Sequence, residues 1–215
     1  MEELQIKFNH IIKEYRQAGV YSPIEQVLGR VKSISSIIEK AQRRGIEIDK
    51  IQEKLFDIAG IRLICQFTED IYTVVKLIKK RKDMTVISEK DYIKNIKESG
   101  YRSLHLIIEI PIFLQNEKRR MKVEVQLRTI AMDFWASVEH KLRYKKNIPD
   151  SEAEILALEL SDCANQLAQL DDKMEQIKKR IVEAEKESAP KGDRKRPLPT
   201  IGGMLIKNRI NGLIK

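Results

Sequence analysis

Long apolar runs, tryptophan, cysteine and histidine are what this sequence has least of. No stretch among its 215 residues approaches the roughly 18 uncharged apolar positions of a membrane span. The start, Met1-Glu2-Glu3-Leu4-Gln5, lacks the basic-then-apolar order of a secretion signal. A soluble, unexported, cytoplasmic chain with no membrane partner is the expectation. The two cysteines, Cys65 and Cys163, are far apart and form no C-x-x-C pair, which argues against a disulfide framework or a thiolate metal site. Cys65 lies inside the apolar run Ile61 to Phe67 and is expected to be buried filler. The only tryptophan, Trp135, is expected in a helix core and not on a base-stacking platform.

The formal charge of +9 invites a polyanion partner, but it is unevenly placed. From Pro190 onward seven Lys and Arg side chains stand against Asp193 alone, so +6 lies in that tail and +3 remains for residues 1–189. So small an excess demands a polyanion only if the basic groups converge on one site.

Leu4, Phe8, Ile11, Ile12 and Tyr15 carry the stripe of an amphipathic helix that Gly19 ends. Ser22-Pro23-Ile24-Glu25 has the form of a capping box with Pro at the first helical position. Val27 to Lys32 either continues that helix or forms a strand. Ser33 or Ser35 caps a helix through Ile37, Ile38, Ala41 and Arg44, closed by Gly45. A buried strand at Ile58 to Phe67 and a helix at Asp70 to Arg81 follow, an α/β signature. Further strands are predicted at Thr85 to Ser88, at Leu104 to Ile110 stopped by Pro111, and at Met121 to Arg128 after a polar turn around Gln115 to Arg119. Ile130 to Leu142 is helical. From Ser151 to about Glu187 a charged, uninterrupted sequence carries Ile155, Leu158, Leu160, Leu167, Leu170, Met174, Ile177 and Ile181 as a long apolar stripe that needs a partner surface. The expected divisions are 1–150, a helical appendage at 151–189 for oligomerisation, and a basic tail at 190–215 without fixed structure.

Strand parity sends Val123, Val125 and Leu127 to one face and Glu124, Gln126 and Arg128 to the other. It likewise puts Ser103 and His105 opposite Leu104, Leu106 and Ile108. A half-exposed antiparallel sheet explains both patterns without chemistry. The neighbouring motifs favour a site. Glu98-Ser99-Gly100-Tyr101-Arg102 is a loop able to lay a ring against a planar ligand. Asp57 at the entrance of one strand and Glu124 on another offer oxygen ligands suited to Mg²⁺. Arg30 with Lys32, and Lys40 with Arg43 and Arg44, form either a triphosphate clamp or a solvated basic face.

These pieces, in this order, resemble the synthetase domain of the RelA/SpoT family, specifically its single-domain small alarmone synthetases. The likeness runs from about Ser22 to Lys145 through Gly29-Arg30-Val31-Lys32, Asp57-Ile58-Ala59-Gly60-Ile61-Arg62, Glu98-Ser99-Gly100-Tyr101-Arg102-Ser103-Leu104-His105, Val123-Glu124-Val125-Gln126-Leu127-Arg128-Thr129 and Phe134-Trp135-Ala136-Ser137-Val138-Glu139-His140. It implies an α/β (α+β) fold: a mixed five-stranded sheet with flanking helices, nucleotidyltransferase-like, with a long C-terminal helix. Val27 to Lys32 is then a strand.

The resemblance further implies the transfer of pyrophosphate from ATP to the 3′-hydroxyl of GDP or GTP with Mg²⁺. Arg30 and Arg62 sandwich the adenine, and Lys32, Lys40 and Arg43 hold the phosphates, with Arg44 as a possible substitute. Asp57 and Glu124 bind Mg²⁺, and Glu124 is also the base. Tyr101 stacks on guanine, Lys97 and His105 meet the acceptor's phosphates or the transferred group, and Gln126 and Glu139 support the guanosine pocket. The family's two-domain members carry a hydrolase that needs a His-Asp pair. His10, His105 and His140 are the only histidines here and none precedes Asp, so synthesis without hydrolysis is expected. A homo-oligomer, in the small members a tetramer, is also implied. Asp133 stands where some relatives have Asn, which leaves product regulation open. Two alternatives remain: GMP or a tRNA 3′ end as acceptor, or an RNA-binding module served by the tail.

Overall fold

The computed structural model describes residues 1–113, 117–143 and 149–188. The chain opens with helix α1 (Glu2–Gln17), whose Leu4, Phe8, Ile12 and Tyr15 recur every three or four residues and are buried. Gly19 follows it in the left-handed region at φ 65°. The capping-box reading of Ser22 to Glu25 is overturned, because no helix starts there. Ser22 Oγ instead accepts from the Ile24 amide at 3.3 Å in a local turn, and the Glu25 amide donates to the Ile64 carbonyl at 2.8 Å. That bond starts the pairing of strand β1 (Gln26–Val31) with β2 (Ala59–Cys65), so sheet formation outweighs a local helix signal.

Helix α2 (Ile34–Arg43) is capped by Ser33, whose side chain accepts from the Ser36 amide, and Gly45 follows it at φ 61°. A 3-10 turn (Ile48–Lys50) and the one-turn helix α3 (Ile51–Lys54), neither apparent from periodicity, lead toward β2. Next come α4 (Thr68–Lys80), β3 (Thr85–Asp91), β4 (Leu104–Phe113), β5 (Lys118–Thr129), α5 (Ile130–Arg143) and α6 (Asp150–Ser188).

The strands form one five-stranded sheet in the order β1-β2-β5-β4-β3, with β2 parallel to β5 and the other pairs antiparallel. β4 does not stop at Pro111. Its pairing with β3 ends at Glu109, so Pro111 lies where β4 has an open edge, and its missing N–H costs no ladder bond there. The expected turn at Gln115 to Arg119 is shorter than supposed, since Lys118 and Arg119 pair with Phe113 and Ile112; residues 114–116 lie outside the described residues.

One face of the sheet is core. Ile61, Leu63, Leu104, Leu106, Ile108, Val123, Val125 and Leu127 pack there against Leu4, Phe8 and Ile12 of α1 and Ile71, Val74, Val75 and Ile78 of α4. Each such side chain contributes about 1.5–3 kcal/mol when fully buried. Cys65 sits in this core as expected, its thiol pushed up by burial. Trp135 is buried and its indole N–H donates to the Leu160 carbonyl at 2.8 Å, joining α5 to α6. Farther along α6, the Lys178 ammonium lies 3.6 Å from buried Asp70 and over the rings of Tyr21 and Phe67 at 4.9 and 4.2 Å. Ile155, Leu158, Leu170, Met174, Ile177 and Ile181 of α6 nevertheless remain exposed. No helix among the described residues is long and apolar enough to cross a membrane.

Candidate active site

The second sheet face is polar because register, a non-local property, aligns residues that parity alone could only assign to a side. Arg30 pairs with Gly60 and Gly60 with Glu124; one step along, Arg62 pairs with Gln126 and Gln126 with His105. Arg30 and Arg62 are thus diagonal neighbours on adjacent strands.

Asp57 lies just before β2. The Lys32 amide donates to the Ile58 carbonyl at 2.9 Å, which draws the end of β1 alongside, and α2 brings Lys40 over from the other side. Both lysine ammonium groups donate to Asp57 Oδ2. Burial works to raise the Asp57 carboxyl, but the hydrogen bonds from Lys32 and Lys40 overcome it and hold it below the usual carboxylate range. Lys40 is also held low: burial, with Lys32 as a like-charged neighbour, outweighs the attraction of Asp57. The other carboxylate oxygen, Asp57 Oδ1, is buried and has no hydrogen-bond partner.

Glu124 sits on the adjoining strand with both oxygens engaged. His105 Nδ1 lies 3.3 Å from Oε1, and Gln126 Nε2 donates to Oε2 at 2.9 Å. Burial pushes the Glu124 carboxyl up, yet the bonds from His105 and Gln126 win and its net shift is downward, against a small upward contribution from the charge of Asp57. The two carboxylates are therefore ionised and close enough to feel each other.

The residues of the loop from Lys97 to Arg102 gather at the end of the same face that carries His105. Gly100, at φ 82°, turns the chain so that its amide reaches the Lys97 carbonyl at 2.8 Å. Tyr101 is delivered to His105, with its hydroxyl 2.9 Å from Nε2. The Lys97 ammonium lies over the rings of Tyr92 and Tyr101 at 4.5 and 4.9 Å. The same loop is tied to α6, where Arg102 Nη1 donates to the Ala164 carbonyl at 3.0 Å.

Asp57, Lys32, Lys40, Arg62, Lys97, Tyr101, His105, Glu124 and Gln126 all lie on or beside this face. Arg30, Arg43 and Arg44 are exposed, with their charged ends free to meet a ligand. Glu139 is half-buried on α5, the helix that follows β5, and not on the strands that carry Glu124, Gln126 and His105. Ser103 precedes the first residue of β4, is fully buried instead of open to a ligand, and donates to the Leu127 carbonyl at 3.1 Å. Three residues of the network were not among the sequence candidates for substrate contact: Tyr92, Asp133 and Arg128. Parity had placed Arg128 on the right face, but nothing local marked it as buried and bonded to Tyr101, Gln126 and Asp133.

Among the described residues no group of three or more His, Cys, Asp or Glu is arranged to hold a metal. The free Asp57 Oδ1 with Glu124 fits the smaller demand of Mg²⁺, which often takes one or two carboxylates and completes its shell with water and substrate phosphate. Chemically, the face combines two ionised carboxylates, a cluster of cations and an aromatic ring.

The family signature described as "Region found in RelA / SpoT proteins" matches residues 29–149. The chain is 46% identical to GTP pyrophosphokinase YwaC of Bacillus subtilis (strain 168) over 183 residues, 84% of this chain and 86% of the relative. Among solved structures, small alarmone synthetase 1 from Bacillus subtilis bound to its product pppGpp is 42% identical, with a TM-score of 0.78 over 84% of this chain and 91% of that one. The same synthetase bound to AMPCPP aligns at 38% identity and a TM-score of 0.72, covering 85% and 91%. The matched span contains Arg30, Asp57, Tyr101, Glu124 and Glu139 alike, and the chain belongs to the RelA/SpoT family.

Proposed function

We propose that this chain is a GTP pyrophosphokinase, moving the β,γ-pyrophosphoryl group of ATP onto the 3′-hydroxyl of GDP or GTP to give ppGpp or pppGpp and AMP. One observation carries the reading: ionised Asp57, held by Lys32 and Lys40, stands beside ionised Glu124, held by His105 and Gln126, with Tyr101 at the end of the same face. The relative named GTP pyrophosphokinase and the neighbours holding pppGpp and AMPCPP support it.

In this reading Arg30 and Arg62 take the two faces of adenine, and Lys32, Lys40 and Arg43 bind the donor's phosphates. Tyr101 stacks on guanine, Lys97 and His105 meet acceptor phosphate or the transferred group, and Gln126 and Glu139 line the guanosine pocket. The 3′-oxygen attacks the β-phosphorus, the bond from that phosphorus to the α,β-bridging oxygen breaks, and AMP leaves with the oxygen. Glu124 accepts the hydroxyl proton. The cationic side chains offset charge on the transferred group, which is most of what such a transfer needs from a protein. Asp57 and Glu124 would hold Mg²⁺, which supplies further neutralisation of phosphate charge when bound.

We further propose synthesis without hydrolysis, a cytoplasmic location, a catalytic unit over 1–150 and a homo-oligomer, a tetramer, built through α6. The exposed apolar residues of α6 support the last of these. The tail from 190, and with it the RNA-binding alternative, lies outside the described residues. Purified protein incubated with γ-labelled ATP, Mg²⁺ and each of GMP, GDP and GTP tests the function. Label should move to GDP or GTP with equimolar AMP and vanish in Glu124→Gln. Transfer only to GMP would reassign the acceptor, and no transfer to any of the three would sink the reading.

A further inference from the structure

Arg128 is 5% exposed, yet it carries a full charge among polar groups that sequence reasoning assigned to substrate. Both terminal nitrogens of its fork are directed, while Nε is buried without a partner. Nη1 donates to Asp133 Oδ1 at 3.0 Å, an oxygen that also forms an ion pair with Arg62 Nη1 at 2.9 Å. Nη2 donates to the Tyr101 hydroxyl at 2.7 Å and to Gln126 Oε1 at 3.0 Å. The guanidinium carbon lies 5.2 Å from the centre of the Tyr101 ring.

A guanidinium can only donate, so it sets the sense of every bond beyond it. The Tyr101 hydroxyl accepts from Arg128, which leaves its own proton available to His105 Nε2, 2.9 Å away. His105 then carries its hydrogen on Nδ1, which faces Glu124 Oε1 at 3.3 Å. On the second arm, Gln126 presents its oxygen to Arg128, which turns its amide nitrogen toward Glu124 Oε2 at 2.9 Å. Two paths thus leave one nitrogen of Arg128 and end as donors on the two oxygens of Glu124.

We propose that Arg128 is a positioning residue for the general base: by donating to Tyr101 and Gln126 it forces both hydrogen-bond arms to point their protons at Glu124 and holds that carboxylate in one orientation. The proposal rests on the pyrophosphokinase reading, in which Glu124 takes the proton of the 3′-hydroxyl. Asp133 anchors the other side of the fork, which keeps Arg128 from swinging toward substrate. A hydrogen bond to a charged group contributes on the order of tenfold to a hundredfold in an equilibrium or rate, and that sets the scale of the expected loss.

The test uses the full chain as wild type, Arg128→Met, Arg128→Lys and Tyr101→Phe, with steady-state transfer from ATP to GDP, thermal midpoints, and ¹⁵N NMR of the three histidines to read the His105 tautomer at fixed pH. Wild type should show the Nδ1–H tautomer, with mixed tautomers in Tyr101→Phe and Arg128→Met. Arg128→Met should lose about tenfold to a hundredfold in kcat, with the KM for ATP within about threefold. Arg128→Lys, which also only donates, should recover part of that loss. An Nε2–H tautomer of His105 in wild type overturns the proposal whether or not the variants fold. So does a Lys variant as impaired as the Met variant with both KM values raised alike, which would mark a structural role. Wild type that transfers no pyrophosphate removes the functional reading and the proposal together, whereas an active wild type with the wrong tautomer removes the proposal alone.

Discussion

Gly60 is the register partner of Glu124 in the parallel pairing of β2 and β5, and it offers no side chain to the polar face between Arg30 and Glu124. A Cβ placed on it would meet nothing nearer than the Glu124 carbonyl oxygen at 3.8 Å and that of Arg30 at 4.0 Å. Protein packing therefore does not require a glycine here. The open space above it is what the proposed donor nucleotide would use.

Gly60→Val separates the two demands. Valine suits a strand, so the thermal midpoint should stay within a few degrees, corresponding to about 1 kcal/mol. Its methyl groups would occupy the ligand's space, and kcat/KM for ATP should fall by about tenfold or more, equivalent to roughly 1.4 kcal/mol of lost transition-state binding. Unchanged kinetics in a folded variant would show that the substrate does not use this part of the floor.

Gly100 is the opposite case, since its surroundings do demand glycine. At φ 82° an L side chain is strained, and a Cβ would lie 2.6 Å from the Cβ of Ala164 on α6. Gly100→Ala should cost about 1–2 kcal/mol for the backbone and about 1–3 kcal/mol more for overpacking. By pushing the Tyr101 loop off α6 it should raise the KM for GDP more than that for ATP. Ala164→Gly in the same chain should recover the packing part only. A midpoint and KM values equal to wild type would contradict the close approach of loop and helix.

Asp171 gives a pH dependence. Burial raises its carboxyl above the usual value; the hydrogen bond from Thr129 opposes this without prevailing, and the charges of Asp172 and Glu175 add to the rise. A carboxyl raised in the folded state binds its proton better there than in the unfolded chain. Its stabilising contribution is fully present below the unfolded value of about 3.9 and is lost as pH rises through the folded value. Asp171→Asn keeps an acceptor for Thr129 and removes the buried charge, so it should be more stable than wild type near pH 7.5, with the advantage shrinking toward pH 4. A gap that widens in acid would give the wrong sign.

Much of the site was legible before any fold was known. Glu124, Gln126 and Arg128 were on one face by parity, because a strand alternates its side chains whatever it pairs with. Helices α1, α2 and α4 through α6 were readable because an amphipathic period of 3.6 is written locally. The misreadings had non-local causes. Ser22 to Glu25 carries a helix-start pattern, but the Glu25 amide bonds to Ile64 across the sheet. Pro111 breaks strands in general, but only pairing shows that β4 has an open edge beyond Glu109.

The sequence by itself determined the strand and helix periods, the polar parity of β5, and the ordered motifs from Gly29 to His140 that mark the family. Only the tertiary structure decided that Lys32 and Lys40 share one oxygen of Asp57, that Gly60 lies between Arg30 and Glu124, and that Arg128 is buried at the junction of two paths to Glu124. Local patterns set a side chain's direction relative to its own backbone. Which groups then meet depends on register between strands distant in sequence and on helices packed across them.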